Sequence, residues 1–253
     1  MTPWVLRLLL VNVFIFLITA PQLGYWAQMF GFRVVDIAQR PWGPITYMFL
    51  HGGLWHLAFN MIGLYFFGPR LEARLGGRHF LSLYFVAGLT GALFSLLTPF
   101  SLIIGASGAV LGVLFGFARY WPSERIYIMA ILPMEARVLV IVFAVLSVGA
   151  GFMGIGGVAH FAHLGGFAGA WLYLVVMERN TPAEKFRRRV EAQAAPKQPT
   201  GRLRERWKEV ETERLHPLNR EEYERIMRKA DTDGIASLTI SERAFMERVV
   251  QQK

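Results

Sequence analysis

The 253-residue sequence contains no cysteine. That excludes a disulfide framework, a thiol nucleophile and a thiolate metal site. It also lacks a His-Glu-x-x-His zinc motif, and Ala109 stands where a Gly-x-Ser-x-Gly elbow needs its last glycine. Acids are scarce over residues 1–177, where Asp36, Glu72, Glu124 and Glu135 face nine arginines. No basic stretch with interleaved aromatics occurs, so the net charge of +9 does not argue for a nucleic-acid partner.

What the chain does have is apolar length. It is 54% hydrophobic with a mean hydropathy of +0.36. The excess fills residues 4 to about 178, whereas the stretch from Glu178 onward carries eighteen Lys/Arg and fourteen Asp/Glu. This split predicts an all-α membrane domain over 1–178, a charged linker over 179–218 and a small soluble helical extension over 219–253.

Six apolar spans are expected: Trp4 to Ala20, Leu50 to Gly68, Phe80 to Phe100, Ile103 to Tyr120, Val138 to Phe152, and Val158 to Met177. The first is read as a retained helix, because Ile18-Thr19-Ala20 is a poor signal-cleavage site. Several spans fall near or below the ~20 residues of a full crossing. The Trp-containing connection from Pro21 to Gly53 is expected to lie partly in the headgroup region. Arg70, Arg74 and Arg78, then Arg119, Arg125 and Arg137, occupy connections two and four, while connections three and five carry no Lys or Arg. The positive-inside rule then places both ends of the six-span domain in the cytoplasm.

Polar residues inside such spans are costly and mark function. Ser107 lies in Gly105-Ala106-Ser107-Gly108 at the start of the fourth span. His56 and Asn60, four apart, share a face of the second span, and His160 and His163, three apart, share a face of the sixth. A serine hydroxyl needs a base to become a nucleophile, and histidine titrates in the useful range. The oxyanion formed on attack needs preorganised donors, which His56, Asn60 and the Ser107 N–H could supply. No acid lies near His163 in sequence, so the pair would be a Ser–His dyad. Taken singly, Ser107 also fits a small packing residue beside Gly108, Gly112 and Gly116, and the histidines also fit interhelical hydrogen bonds.

The set resembles the rhomboid family of intramembrane serine proteases over about residues 40 to 177. The resemblance rests on four ordered motifs: His51-Gly-Gly-Leu-Trp-His56-Leu-Ala-Phe-Asn60, Glu72-Ala-Arg74-Leu-Gly76, Gly105-Ala-Ser107-Gly108, and His160-Phe-Ala-His163-Leu-Gly165-Gly166. It implies a six-helix rhomboid bundle with Ser107 as nucleophile, His163 as general base, and His56 and Asn60 stabilising the oxyanion. His51, Glu72, Arg74, Gly105, Gly108, His160, Gly165 and Gly166 fall at structural or supporting positions. The resemblance implies transmembrane proteins as substrates, the lipid bilayer as surroundings, no cofactor and no metal. It also implies a bacterial-type plasma-membrane protein whose site opens to the extracytoplasmic side. The glycines between Gly149 and Gly157 are expected to form a mobile cap over that opening. Two other readings remain open: a catalytically silent rhomboid-like protein that binds transmembrane helices, and a metal or haem protein using His51, His56, His160 and His163.

In the tail, the Arg187-Arg188-Arg189 cluster reads as positive-inside anchoring in preference to headgroup recognition. Two short helices are expected over 219–250, one from Glu222 to Lys229 and one beginning at Thr239. There Thr239-Ile-Ser-Glu242 fits a capping box. Asp231, Asp233 and Glu242 mimic calcium-loop spacing, but Ala236 and Ile235 replace the glycine and a ligand that such a loop requires. The segment also resembles a small helical extension found at the end of some bacterial rhomboids.

Overall fold

A computed structural model describes residues 1–128, 131–153, 159–181, 185–187 and 200–251. The chain divides into two units, Met1–Glu178 and Arg179–Lys253.

The first unit is a helical membrane bundle. Its long helices are α1 (Pro3–Thr19), α4 (Leu54–Leu75), α5 (Gly77–Phe94), α6 (Ser107–Tyr120), α7 (Ala136–Met153) and α8 (Ala159–Arg179), with the short α2 (Leu23–Phe30) and α3 (Gly43–Thr46) between α1 and α4. Residues 3–30, 77–97, 136–153 and 160–179 are long and apolar enough to cross a membrane. α6 is shorter and stands at the centre, with ten of its fourteen residues buried. A helix apolar all round belongs inside a bundle, and α4, α5 and α7 pack about it. The outward faces of α1 and α7 expose Leu10, Phe14 and Leu17, then Val145, Leu146 and Phe152, as lipid-facing helices do.

Several boundaries differ from the sequence expectation. The fourth span starts at Ser107, not Ile103, because Ile103 forms an isolated bridge with Phe32 through N–H···O bonds of 3.0 and 2.8 Å. α4 runs past Gly68 and through Pro69 to Leu75. The 21–53 connection is mostly helical turns, and Trp42 Nε1 donates to the Met29 carbonyl at 2.9 Å. The fourth connection contains a hairpin, β1 (Arg125–Ile128) and β2 (Leu132–Glu135), that no turn signal announced. Gly149 and Gly151 lie within α7, so the expected cap is helical there, and Gly154, Gly156 and Gly157 fall outside the described residues.

Arginine side chains gather where α4, α6 and α8 end. Arg70 donates to Glu124 at 2.8 Å and lies over the Trp121 ring at 4.3 Å. Arg74 lies over Tyr120 at 5.2 Å. Arg119 pairs with Glu178, which also accepts from Tyr120 at 3.0 Å. Nearby, His79 Nδ1 meets Tyr173 OH at 2.8 Å, a tie between α5 and α8.

Glu72 is 4% exposed, and its carboxylate accepts the backbone N–H groups of Trp4 and Val5 at 3.1 and 3.0 Å. It therefore caps α1, whose own N-cap residue makes no side-chain bond. A carboxylate at a helix N-terminus satisfies free donors and favours the helix dipole. Glu72→Gln, which turns an amide NH₂ toward one of those donors, is expected to destabilise the bundle by about 1–3 kcal/mol. Thermal unfolding in detergent measures it.

The second unit holds α9 (Thr200–Lys208), α10 (Pro217–Asp233) and α11 (Ile240–Gln251). Its core reaches back past the expected start at residue 219, because Leu203 and Trp207 of α9 pack against Tyr223, Ile226 and Met246. α10 is longer than expected: Pro217 sets its first turn, and Gly234, at φ +81°, ends it. Asp231 accepts from Arg204 at 2.6 Å, and Lys229 and Arg225 hold Glu242, so these carboxylates face cations of the same chain. Arg187 is exposed, and Arg188 and Arg189 lie outside the described residues.

Thr239 and Glu242 form the reciprocal capping pair. The Thr239 N–H donates to Glu242 at 2.8 Å, and the Glu242 N–H donates to Thr239 Oγ1 at 3.2 Å. The Thr239 N–H, and then the Lys229 ammonium, hold the Glu242 carboxyl down from its ordinary 4.5 to about 2. A depressed folded value stabilises α11 above pH 4.5, and the contribution disappears as pH falls toward 2. Amide-exchange protection of Ile240–Gln251 in the full chain should fall across that window, and Glu242→Gln should flatten the fall.

Candidate active site

Ser107 is the first residue of α6, and a turn that only glycine accommodates leads into it. Gly105 has φ +123°, and its N–H donates to the Tyr47 carbonyl at 2.9 Å. A Cβ on Gly105 would come within 2.6 Å of the His56 ring. Any side chain there would be strained and would push His56 away.

The base comes from α8. His163 Nε2 lies 2.7 Å from Ser107 Oγ, a hydrogen bond between residues 56 apart in sequence. Glycines permit that approach. A Cβ on Gly166 would collide with the Gly108 carbonyl oxygen and would sit 3.0 Å from Gly108 Cα. One on Gly165 would sit 2.8 Å from Gly91 Cα. Gly108 itself faces the Ala162 carbonyl oxygen, 3.1 Å from where its Cβ would be. With bare backbone on both sides, α8 rests directly on α6 and α5.

His56 and Asn60 occupy adjacent turns of α4 beside the serine. Gly52 N–H donates to His56 Nδ1 at 3.2 Å, so a neutral His56 carries its proton on Nε2, the nitrogen lying against Gly105. Asn60 Nδ2 donates to the His56 carbonyl at 2.8 Å, leaving its second N–H for another acceptor. Asn60 is buried, and Ser107, His163 and His56 are half-buried. These four side chains, with Phe59 and Phe143, line a cavity of about 320 Å³ bounded by α4, α6, α7 and α8. The site thus offers a hydroxyl on a base, an imidazole N–H and an amide N–H at one mouth, with apolar walls. That arrangement can carry acyl transfer.

The remaining positions separate into neighbours and supports. The buried His51 ring stands edge-on to His56 with centroids 5.1 Å apart. His160 lies one turn before His163, edge-on at 6.1 Å, and the nitrogen bonded to Ser107 belongs to His163. Glu72 and Arg74 are far from the serine, at the arginine-rich end.

Sequence reasoning missed Tyr47. Its carbonyl holds Gly105, its hydroxyl donates to the Gly88 carbonyl of α5 at 2.8 Å, and its ring is buried. A tyrosine in an aromatic, apolar connection gives no local sign of such a role.

The Rhomboid domain family matches residues 38–180, more than half of the chain. The chain belongs to the rhomboid family. Its members are generally intramembrane serine proteases, and the family together with the apolar helices makes this an integral membrane protein. RHOMBOID-like protein 4 of Arabidopsis thaliana is 34% identical over 156 residues, covering 57% of this chain and 38% of that protein. Rhomboid protein 1, mitochondrial, of Saccharomyces cerevisiae is 30% identical over 194 residues, covering 73% and 56%. The Rhomboid protease GluP of Bacillus subtilis is 31% identical over 130 residues, covering 51% and 25%. The chain thus spans between a quarter and somewhat over half of the length of these curated relatives.

Proposed function

We propose that this rhomboid is an intramembrane serine endopeptidase that cleaves transmembrane segments of other membrane proteins. The observation that carries the reading is the 2.7 Å bond between Ser107 Oγ and His163 Nε2 at the mouth of a cavity. Ser107 Oγ attacks the peptide carbonyl while His163 Nε2 takes its proton. The Ser107 N–H, His56 Nε2–H and the second Asn60 N–H receive the oxyanion, helped by the positive end of the α6 dipole. On collapse His163 gives the proton to the leaving amine, and water then repeats the sequence on the acyl-enzyme. No acid within hydrogen-bond distance of His163 takes part in this scheme.

We place the arginine-rich end of the bundle in the cytoplasm of a bacterial cell, with both ends of the bundle on that side. α6 has fourteen residues, so Ser107 stands about 20 Å from Tyr120 along the axis. Against a hydrocarbon core ~30 Å thick, the serine then lies about 10 Å beneath the opposite surface. Water reaches it from that extracytoplasmic side, and a substrate helix is cut near its outer end. Helical peptide bonds are shielded, so helix-weakening residues favour cleavage.

The reading is tested by reconstituting the chain with a panel of single-span proteins and adding a fluorophosphonate probe. The wild type should release a product and bind the probe at Ser107. A folded protein that captures a substrate helix, yields no product and resists the probe would overturn the reading in favour of a silent helix-binding rhomboid.

A further inference from the structure

Between α6 and α7 the chain runs from Ile126 to Met134 without a charge. β1 and β2 pair antiparallel there, with Ile126 opposite Met134, Tyr127 opposite Pro133 and Ile128 opposite Leu132. The period of two puts Ile126, Met134 and Leu132 on one face and Tyr127 and Pro133 on the other. Ile126 and Met134 turn inward and join the apolar cluster of Leu114 on α6 and Leu139 in the first turn of α7. Ala136 N–H donates to Glu124 at 2.9 Å and Arg137 N–H to Pro122 at 3.1 Å, closing the base. Farther from the base, exposed side chains stand on both faces and in the turn: Tyr127 is 60% exposed, Leu132 56% and Ile131 82%.

Neither bulk phase suits such a ribbon. In water, a two-stranded apolar ribbon with open edges is marginal and invites aggregation. In hydrocarbon, the unpaired N–H and C=O groups of those edges are too costly. The boundary between headgroups and acyl chains meets both demands, because apolar side chains enter it while edge amides keep water. The connectivity puts that boundary within reach. Each end of the hairpin continues into a helix of the membrane bundle, and Ile126 and Met134 at its base pack on those helices. Arg125 at the base makes no ion pair among the described residues, which leaves its guanidinium for headgroup phosphates.

We propose that β1–β2 is an interfacial anchor whose exposed side chains Tyr127, Ile131 and Leu132 are seated in the lipid headgroup–acyl boundary. The proposal does not rest on the protease reading. The absence of cysteine supplies a clean test. Ile131→Cys and Tyr127→Cys, in the full chain, are labelled with nitrobenzoxadiazole and reconstituted in phosphatidylcholine–phosphatidylglycerol vesicles. Both positions are exposed, so the label displaces no core side chain. Leu218→Cys, 70% exposed on α10 of the tail, is the reference in water.

Labels at 131 and 127 should be quenched about twofold more by a shallow acyl-chain nitroxide than by a deep one, as depth at the boundary requires. They should resist aqueous iodide, which should quench the label at 218. Iodide quenching at 131 equal to that at 218 would overturn the proposal. So would protection from both iodide and nitroxide, the sign of a protein partner, or stronger quenching by the deep nitroxide.

Discussion

Replacing Ser107 with alanine is expected to lower cleavage by about 10⁴-fold or more, and His163→Ala should do nearly the same. The double variant should be scarcely worse than either single one. The two groups perform one act, since the hydroxyl is inert without a base and the base has nothing to activate without the hydroxyl. Strong non-additivity therefore separates a dyad from two residues that merely pack. His56→Ala should cost less, about 10²–10³-fold, because Asn60 and the Ser107 N–H remain as donors. Initial rates on one substrate decide the matter, with thermal unfolding of each variant to verify folding. If the losses from Ser107→Ala and His163→Ala simply multiplied, the proposed mechanism would fail.

Gly166→Val is expected to remove activity without touching either reacting side chain. A Cβ at 166 would overlap the Gly108 carbonyl, so α8 must move away from α6. Overpacking of this kind costs about 1–3 kcal/mol. A displacement near 1 Å at the dyad, which now spans 2.7 Å, should cost about 10²-fold in rate. Gly149→Ala is the matched comparison. Gly149 is also helical, but its added Cβ would meet nothing within 4 Å, so stability and rate should stay near wild type. Initial rates and melting temperatures of the two variants test the contrast, and a silent Gly166→Val would show that the close approach is unnecessary.

Much of the fold was legible because each membrane helix must satisfy its own backbone, which leaves long apolar runs in the sequence. The spans around α1, α5, α7 and α8 could be read this way to within a few residues. The start of α6 could not. Ile103 and Ile104 look like helix, but a backbone bridge to Phe32 holds that stretch extended, and pairing with residues some 70 positions away leaves no local trace. The hairpin escaped for a related reason, since its apolar run lacks a turn dipeptide and suits a span as well as a strand. The candidate site was legible as a set of residue types, because a hydroxyl, imidazoles and an amide stand out against apolar spans. Tyr47 and the capping role of Glu72 were not, since each acts on backbone groups that sequence does not distinguish.

By itself the sequence determined that this is a polytopic helical membrane protein, which polar groups sit within its spans, and which ends of those spans carry arginine. Composition and period suffice for that, because burial in lipid constrains every residue of a span independently of its neighbours. The family resemblance pointed to His163, but only the tertiary structure shows that its imidazole meets the hydroxyl. His160 and His163 share a helix face, and glycine contacts between α8 and α6 permit the approach at which His163 reaches Ser107. Contact between distant helices depends on the shapes of both surfaces together, and one strand of sequence records them only separately.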